Sequence, residues 1–478
     1  MGGQPATRPN KAAFCTGSIV RHVVVMAGTG AIGLMAVFLV DLLNLFYISW
    51  LGDPALTAAI GFSGVIGFVQ IAVSIGLSIG IGAITGRLIG AGKMEQAQRV
   101  ASSFGIVMLG FCLLIGVFTA WLAPLLLSLL GAQGEAARQA ATFLRIVSPG
   151  LPLIAAGMGC SGLLRAIGAA RISMNVTLIG AMISAMADPL LIVGLGLGLK
   201  GAAISTILSR GVVALMGFRC ARRHGLLAWP VRTHVVADTK LVGQVAMPAI
   251  LTNLATPVGS VFVTHAMAGF GLAAVAGQAT IERIVPVAFA FVFALTGSVG
   301  PIMSQNLGAG KLERVRATLV ASLWLVAGCV ALTWAILFLS QNLVVRVFSA
   351  QGTAAMLIHL FCNWTIAGYV FIGMLFVANS AFNNLGHPLY STLFNWGRAT
   401  LGTIPFVWMG MRYGPGGVQV GQVLGSVLFG SCAVLTAFSV VRRLHPGDRA
   451  TQQAMPVIPP PQTGEAGLIE LDELDHSA

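Results

Sequence analysis

The chain has 478 residues, of which 56% are hydrophobic and 9% charged. A soluble domain carries about 25% charged residues, so this composition excludes a water-soluble globular protein and requires lipid over most of the outer surface. The formal net charge is +13, but the basic residues stand between apolar segments, which points to membrane topology and leaves no nucleic-acid partner expected.

In chain order, a short basic start with Arg8, Lys11 and Arg21 precedes a long apolar run. No small-residue cleavage site follows at signal-peptide distance, so the run is expected to stay as a helix. Runs long enough to cross a bilayer are predicted at 20–50, 57–88, 98–130, 138–165, 171–198 and 201–223, then at 241–267, 272–305, 314–346, 354–384, 389–412 and 417–442. The Lys and Arg distribution tests this count. With the N-terminus inside, nineteen of the 27 basic residues fall in cytoplasmic segments. Four (Arg138, Lys200, Arg346 and Arg412) fall outside, and Arg145, Arg210, Arg283 and Arg398 lie within spans. That bias predicts an even number of spans and two cytoplasmic termini. Residues 446–478, with Pro459–Pro461 and an acidic end, read as a disordered cytoplasmic tail. The seven cysteines show no CxxC pattern and read as small packing residues.

The sequence repeats. Gly90-Ala91-Gly92-Lys93 returns as Gly308-Ala309-Gly310-Lys311, an offset of 308 − 90 = 218. Glu95 and Glu313, Gly168 and Gly386, and Ser173 and Ser391 keep that offset; Gly201 and Gly417 differ by 417 − 201 = 216. Six spans separate each residue from its copy, so both halves share one orientation and are related by an axis along the membrane normal. The expected fold is an all-α polytopic membrane protein with twelve transmembrane helices in two six-helix lobes. Its segments are an N-terminal stretch 1–19, an N-lobe 20–224, a linker 225–240, a C-lobe 241–443 and a tail 444–478. The glycine motifs are not phosphate loops, because Arg87 or Gln305 stands where a first Gly is needed and no strand precedes them. They read as tight turns.

A charge at mid-bilayer costs about 2.5–3.5 kcal/mol on insertion scales. Three acids lie deep in spans: Asp41, Asp188 and Glu282. Pro189 after Asp188 frees backbone carbonyls that can serve as cation ligands. A carboxyl in such a site can load and release a proton, and two carboxyls with hydroxyls can equally hold Na⁺. Asp41 aligns near Val258 and Asp188 with Ile404, so the pair is confined to the first half. Glu282, next to Arg283, is expected either in an ion pair with Arg145, Arg210 or Arg398 or in a substrate cavity with Arg283, Arg398 and Asn44.

Asp41 in the first span, Gly90–Lys93 after the second, Leu164-Arg165-Ala166-Ile167-Gly168 after the fourth, Asp188 in the fifth and Gln305–Lys311 in the second half together resemble the multidrug and toxic compound extrusion family. The acid placement resembles its prokaryotic branch related to the DNA-damage-inducible member. The resemblance covers about residues 20–443. It implies an inner-membrane antiporter, not an enzyme, that exports amphipathic, often cationic, drug-like compounds and is driven by inward H⁺ or Na⁺, with no other cofactor and a monomeric state. Asp41 and Asp188 match the family's acids and Thr206 its sixth-span hydroxyl. Ser184 stands where relatives often carry Asn, and Ser161 and Met158 replace amides. This thinner polar shell favours H⁺ over Na⁺. The family's first-span proline is absent; Gly28, Gly30 and Gly33 stand in that span instead. A flippase for lipid-linked saccharides is the rival reading, and it requires the mid-span arginines to converge on one cavity.

Overall fold

The structure is a computed structural model, which describes residues 12–51, 53–229 and 232–444. The tail predicted at 444–478 therefore lies almost entirely outside the described residues. The helices of the first half are α1 (Ile19–Trp50), α2 (Pro54–Gly90), α3 (Met94–Leu129), α4 (Gly134–Val147), α5 (Leu151–Ala166), α6 (Ala170–Asp188) and α7 (Gly198–Arg223). Those of the second half are α8 (Val235–Ala268), α9 (Leu272–Ala288), α10 (Ala290–Gly308), α11 (Leu312–Val347), α12 (Thr353–Asn363), α13 (Tyr369–Leu385), α14 (Pro388–Gly397), α15 (Ile404–Gly410) and α16 (Gly414–Arg442).

The described residues hold sixteen α-helices; by length and composition they make ten spans, or eleven with the bent pair α9–α10 taken as one, and the run 388–442, counted once in that total, doubles back to give the twelfth. α4 joins α5 through a 3₁₀ turn at Ser148–Gly150, where Pro149 removes a backbone donor. α9 and α10 meet at a 50° bend, just after Pro286. α12 joins α13 through a 3₁₀ turn at Thr365–Gly368. The turns at 148–150 and 365–368 occupy matching positions of the repeat. α14 and α15 are joined by a π-helical turn at Arg398–Gly402.

The apolar stretch 388–442 is one unbroken run by composition, yet it folds back on itself. Gly414 turns the chain with φ +78, and a Cβ at Gly425, Gly421 or Gly417 would overlap the carbonyl of Gly402, Phe406 or Gly410. These pairs run antiparallel at four-residue intervals, so α15 and α16 form a hairpin whose backbones touch along their length. The first half holds the related hairpin, in which Gly201 packs on the Leu191 carbonyl and Ser209 Oγ donates to Gly180 O at 2.8 Å.

α8 begins at Val235, so part of the linker predicted at 225–240 is helical. Asp238, 3% exposed, is fixed there by Arg99 of α3 through Nε and Nη2, both at 3.3 Å. The segment ahead of α1 also has a defined place. Ala13–Cys15 form a 3₁₀ turn, and Phe14, 2% exposed, is packed in the core of the second half.

Close approaches between the lobes gather near the face that carries Lys93 and Lys311, hereafter the basic face. Gly80 of α2 meets Ala246 of α8, Gly86 meets Ser304 of α10, and Gly30 of α1 meets Ala294 of α10. Elsewhere the surface is apolar, with Leu114, Trp121, Leu129, Trp324 and Leu339 strongly exposed, as lipid contact requires.

Candidate functional site

The fifth span ends its regular helix at Asp188. Pro189 follows, and residues Pro189–Gly194 take a π-helical turn. A proline cannot donate its backbone hydrogen bond, and π-turns of this kind recur at functional sites. Pro405 stands at the matching place of the second half, but Ile404 replaces the acid. The repeat therefore keeps the proline and discards the charge, and in the second half the π-helical turn at Arg398–Gly402 comes before the proline rather than after it.

Asp188 is 0% exposed. Its polar neighbours come from three helices: Ser184 of α6, Asn44 of α1 and Ser205 of α7. Ser184 Oγ donates to Asp188 Oδ2 at 3.4 Å. Asp188 Oδ1 and the Ser205 hydroxyl are buried without a well-formed hydrogen bond, so the pocket keeps unspent acceptor and donor capacity. Asp41 lies one turn before Asn44 on α1, is exposed, and interacts electrostatically with Asp188 and with Arg210 of α7. The Arg210 guanidinium keeps Nη1 buried and unpartnered. The arrangement is an exposed carboxyl and a sealed carboxyl, coupled electrostatically, with one cation and an amide–hydroxyl shell beside them.

Of the residues expected for ion coupling, Asp41, Asp188 and Ser184 come together. Thr206 does not join them: its hydroxyl donates at 2.8 Å to Ala202 O of its own helix, and the neighbouring Ser205 faces the acid instead. Adjacent helix residues point about 100° apart, so only one of the two can face α6. Ser161 is buried on α5 and is not among the side chains that hydrogen-bond Asp188. Asn44, expected in a substrate cavity, belongs to the acid site. Ser205 and Arg210 are the members that sequence reading missed. Arg210 carried a signal, since a mid-span arginine needs an acidic partner, but the partner is Asp41 rather than Glu282.

In the second half, Glu282 of α9 accepts from Gln278 Nε2 at 3.1 Å and is exposed, as is Arg283. Tyr369 interacts electrostatically with both Glu282 and Arg398 and stacks on Phe289 at 4.6 Å. Arg145 and Arg283 are exposed on different helices, while Arg210 and Arg398 belong to different lobes.

Outside the spans, His387 between α13 and α14 is held below its usual range, first by burial and then by the Arg87 guanidinium. The Cys15 thiol is pushed up by burial, with Lys311 and Arg314 pulling the other way.

Comparison with known proteins agrees with this architecture. The family profile described as MatE matches residues 31–190 and 248–409, one block in each half. The chain is 28% identical over 403 residues to the FAD transporter of Shewanella oneidensis, covering 82% of this chain and 88% of that one. It is 26% identical over 357 residues to the multidrug export protein MepA of Staphylococcus haemolyticus, covering 72% and 78%. The crystal structure of a mutant of the Vibrio cholerae MATE transporter VcmN superposes with a TM-score of 0.86 at 24% identity, covering 89% of this chain and 98% of that one. With a profile match in both halves and a shared twelve-span, two-lobe fold, the chain belongs to the MatE, or multidrug and toxic compound extrusion, family of membrane transporters.

Proposed function

We propose that the chain is a secondary antiporter that expels amphipathic or cationic small molecules in exchange for inward H⁺, with Na⁺ as the alternative ion, and that Asp41 and Asp188 carry the coupling. One observation carries this reading: an acid with no solvent exposure sits at a proline-broken helix and is linked electrostatically to an exposed acid on the next packed helix. An ion bound at Asp41 sits on an exposed carboxyl of α1, whereas an ion bound at Asp188 is enclosed by α1, α6 and α7. Ion occupancy therefore changes the charge at the junction of three helices, and burying an uncompensated charge there is costly enough to favour repacking. Ser184, Ser205 and Asn44 supply hydroxyl and amide oxygens, a donor set that accepts Na⁺ or orients a protonated carboxyl. The basic face is proposed as cytoplasmic, on the Lys and Arg bias, and the carrier as monomeric.

The test is transport in proteoliposomes with pH and Na⁺ gradients imposed separately. Export driven by the pH gradient, lost in Asp41→Asn and in Asp188→Asn protein that still folds, is the expected result. Full export by Asp41→Asn would refute the assignment. A second reading concerns substrate alone. The resemblance to a FAD transporter and the unpartnered Arg210 Nη1 and Arg398 Nε favour an amphipathic anion. Competition between FAD and a cationic dye in the same vesicles decides between the two.

A further inference from the structure

The motifs that close α2 and α10 read as turns in the sequence, but the structure gives them contacts across the lobe boundary. Arg87 of α2, 6% exposed, donates from Nε to Asn384 O at 2.9 Å and from Nη2 to Asn383 O at 3.2 Å. Those carbonyls end α13, in the opposite lobe. Gln305 of α10, 0% exposed, donates from Nε2 to Ala166 O, which ends α5 in the first lobe. Residue 305 is the repeat copy of 87, and 384 is the copy of 166, each at the offset of 218. The two bonds are therefore symmetry mates: each lobe reaches across and caps the C-terminal end of the same helix in the other. The backbones beneath obey the same relation, since Gly90 lies on the Gln305 carbonyl and Gly308 on the Arg87 carbonyl. A donor at a helix C-terminus also meets the negative end of the helix dipole, which favours the guanidinium.

A third strand locks one side. Gln305 Oε1 accepts from the backbone N–H of Phe14 at 2.9 Å, so one amide ties α5 and the N-terminal segment together. Arg314 donates to the carbonyls of Phe14 (2.8 Å), Thr16 (3.2 Å) and Gly17 (3.1 Å), and Lys311 Nζ donates to Cys15 O at 2.8 Å. The linker makes the related crossing onto α3, where Ala228 N donates to Ser102 Oγ at 2.9 Å. The linker is covalently joined to both lobes. Residues 13–17 are covalently joined to α1 but not to the second lobe, which holds them by these bonds and by the packing of Phe14.

We propose that Arg87 and Gln305 form a crossed clamp that shuts the basic face, and that residues 13–17 are a removable wedge whose release must accompany opening of that face. The clamp supplies the closed state that alternating access requires at one end. It acts without touching ion or substrate. Because polar bonds to backbone carbonyls exchange readily with water once separated, the clamp holds two discrete states rather than a continuum.

The test uses a full-length chain whose other six cysteines are replaced, leaving Cys15, in lipid nanodiscs. Cys15 is half-buried with Sγ at 3.7 Å from the Gln305 carbonyl, so a hydrophilic maleimide labels it faster once the wedge leaves. Arg87→Ala and Gln305→Ala are each expected to speed labelling roughly tenfold, the shift that about 1.4 kcal/mol produces. Arg87→Lys, which keeps the charge but loses the fork, falls between. Arg314→Ala leaves every bond between the lobes intact and frees only the wedge, so it keeps the test open if the clamp variants fold poorly. In a second arm, on a chain with all seven native cysteines replaced, Ala91→Cys with Ala309→Cys is cross-linked across the clamp; transport should stop and return on reduction. Wild-type labelling rates in folded Arg87→Ala, Gln305→Ala and Arg314→Ala proteins, or transport by the cross-linked protein, would overturn the proposal. Labelling needs neither substrate nor driving ion, so its outcome is separable from the Asp41 assignment.

Discussion

The basic-face clamp and the acid site treat the internal repeat in opposite ways. At the clamp every element has its mate: Arg87 with Gln305, Ala166 with Asn384, and Gly90 with Gly308. At the acid site the proline is copied, as Pro189 and Pro405, but the repeat counterpart of Asp188 is Ile404 and Asp41 has no acidic copy. Two lobes that rock against each other need equal holds at their junction, and a shared symmetry provides them. An ion that drives the cycle needs a single site, where its occupancy favours one arrangement over the other. Symmetry is kept where the lobes meet and lost where one of them is charged.

The largest expected effect comes from removing that asymmetry's charge. Asp188→Asn should reduce gradient-driven export to the background of empty vesicles while the protein remains folded by size-exclusion chromatography. Adding Ile404→Asp to it should not restore export, because the second lobe places Tyr369 and Arg398, not Asn44 and Ser205, around its corresponding span. Restored export would mean that the lobes are interchangeable.

Next comes the backbone contact under the clamp. Gly308→Val puts side-chain atoms into the Arg87 carbonyl, so it should force the basic face apart and lower the thermal midpoint by several degrees, by about 1–3 kcal/mol of overpacking. Gly310→Ala tests the other glycine role: with φ +71 and nothing near its Cβ, it should cost only local strain, on the order of 1 kcal/mol. Equal losses would show that the motif is a turn and nothing more.

A smaller difference is expected between the two clamp bonds. Hydrogen bonds to charged groups contribute about 1.5–3 kcal/mol and neutral ones about 1 kcal/mol. Arg87→Ala should therefore destabilise more than Gln305→Ala in urea titrations of the nanodisc protein. The order reverses only if the Phe14 bond adds more than the charge does.

The smallest effect is a pH dependence. His387, stacked on Tyr390 at 5.6 Å, lies beside Arg87 and is held below its usual range in the folded protein. A histidine so lowered favours the folded arrangement above its unfolded value of about 6.5, and that contribution fades as pH falls through the folded value. Cys15 labelling should rise modestly as pH is lowered from about 7.5 to 5.5, and His387→Gln should flatten the rise, read at each pH against a Cys15 peptide.

Much of the fold was legible because the bilayer leaves few choices. Twelve apolar runs, a charge bias and a 218-residue register lead to two six-helix lobes, since a backbone in lipid must satisfy its hydrogen bonds within helices. Asp41, Asp188 and Ser184 were legible too, because polar groups in long apolar runs stand out. Thr206 in place of Ser205, the Glu282 partner, and the silent roles of Phe14, Arg87 and Gln305 were not.

The sequence by itself determined the number of spans, the parallel repeat and the confinement of the acids to one half, all of which are periodicities and counts along the chain. Only the tertiary structure decided which hydroxyl of α7 meets Asp188, that Arg210 serves Asp41, and that an apparent glycine turn is a clamp between lobes. Each of these depends on helix rotation and on contacts between residues up to about three hundred positions apart, such as Arg314 with Phe14. Such contacts are fixed by close packing of backbones, and no local pattern encodes them.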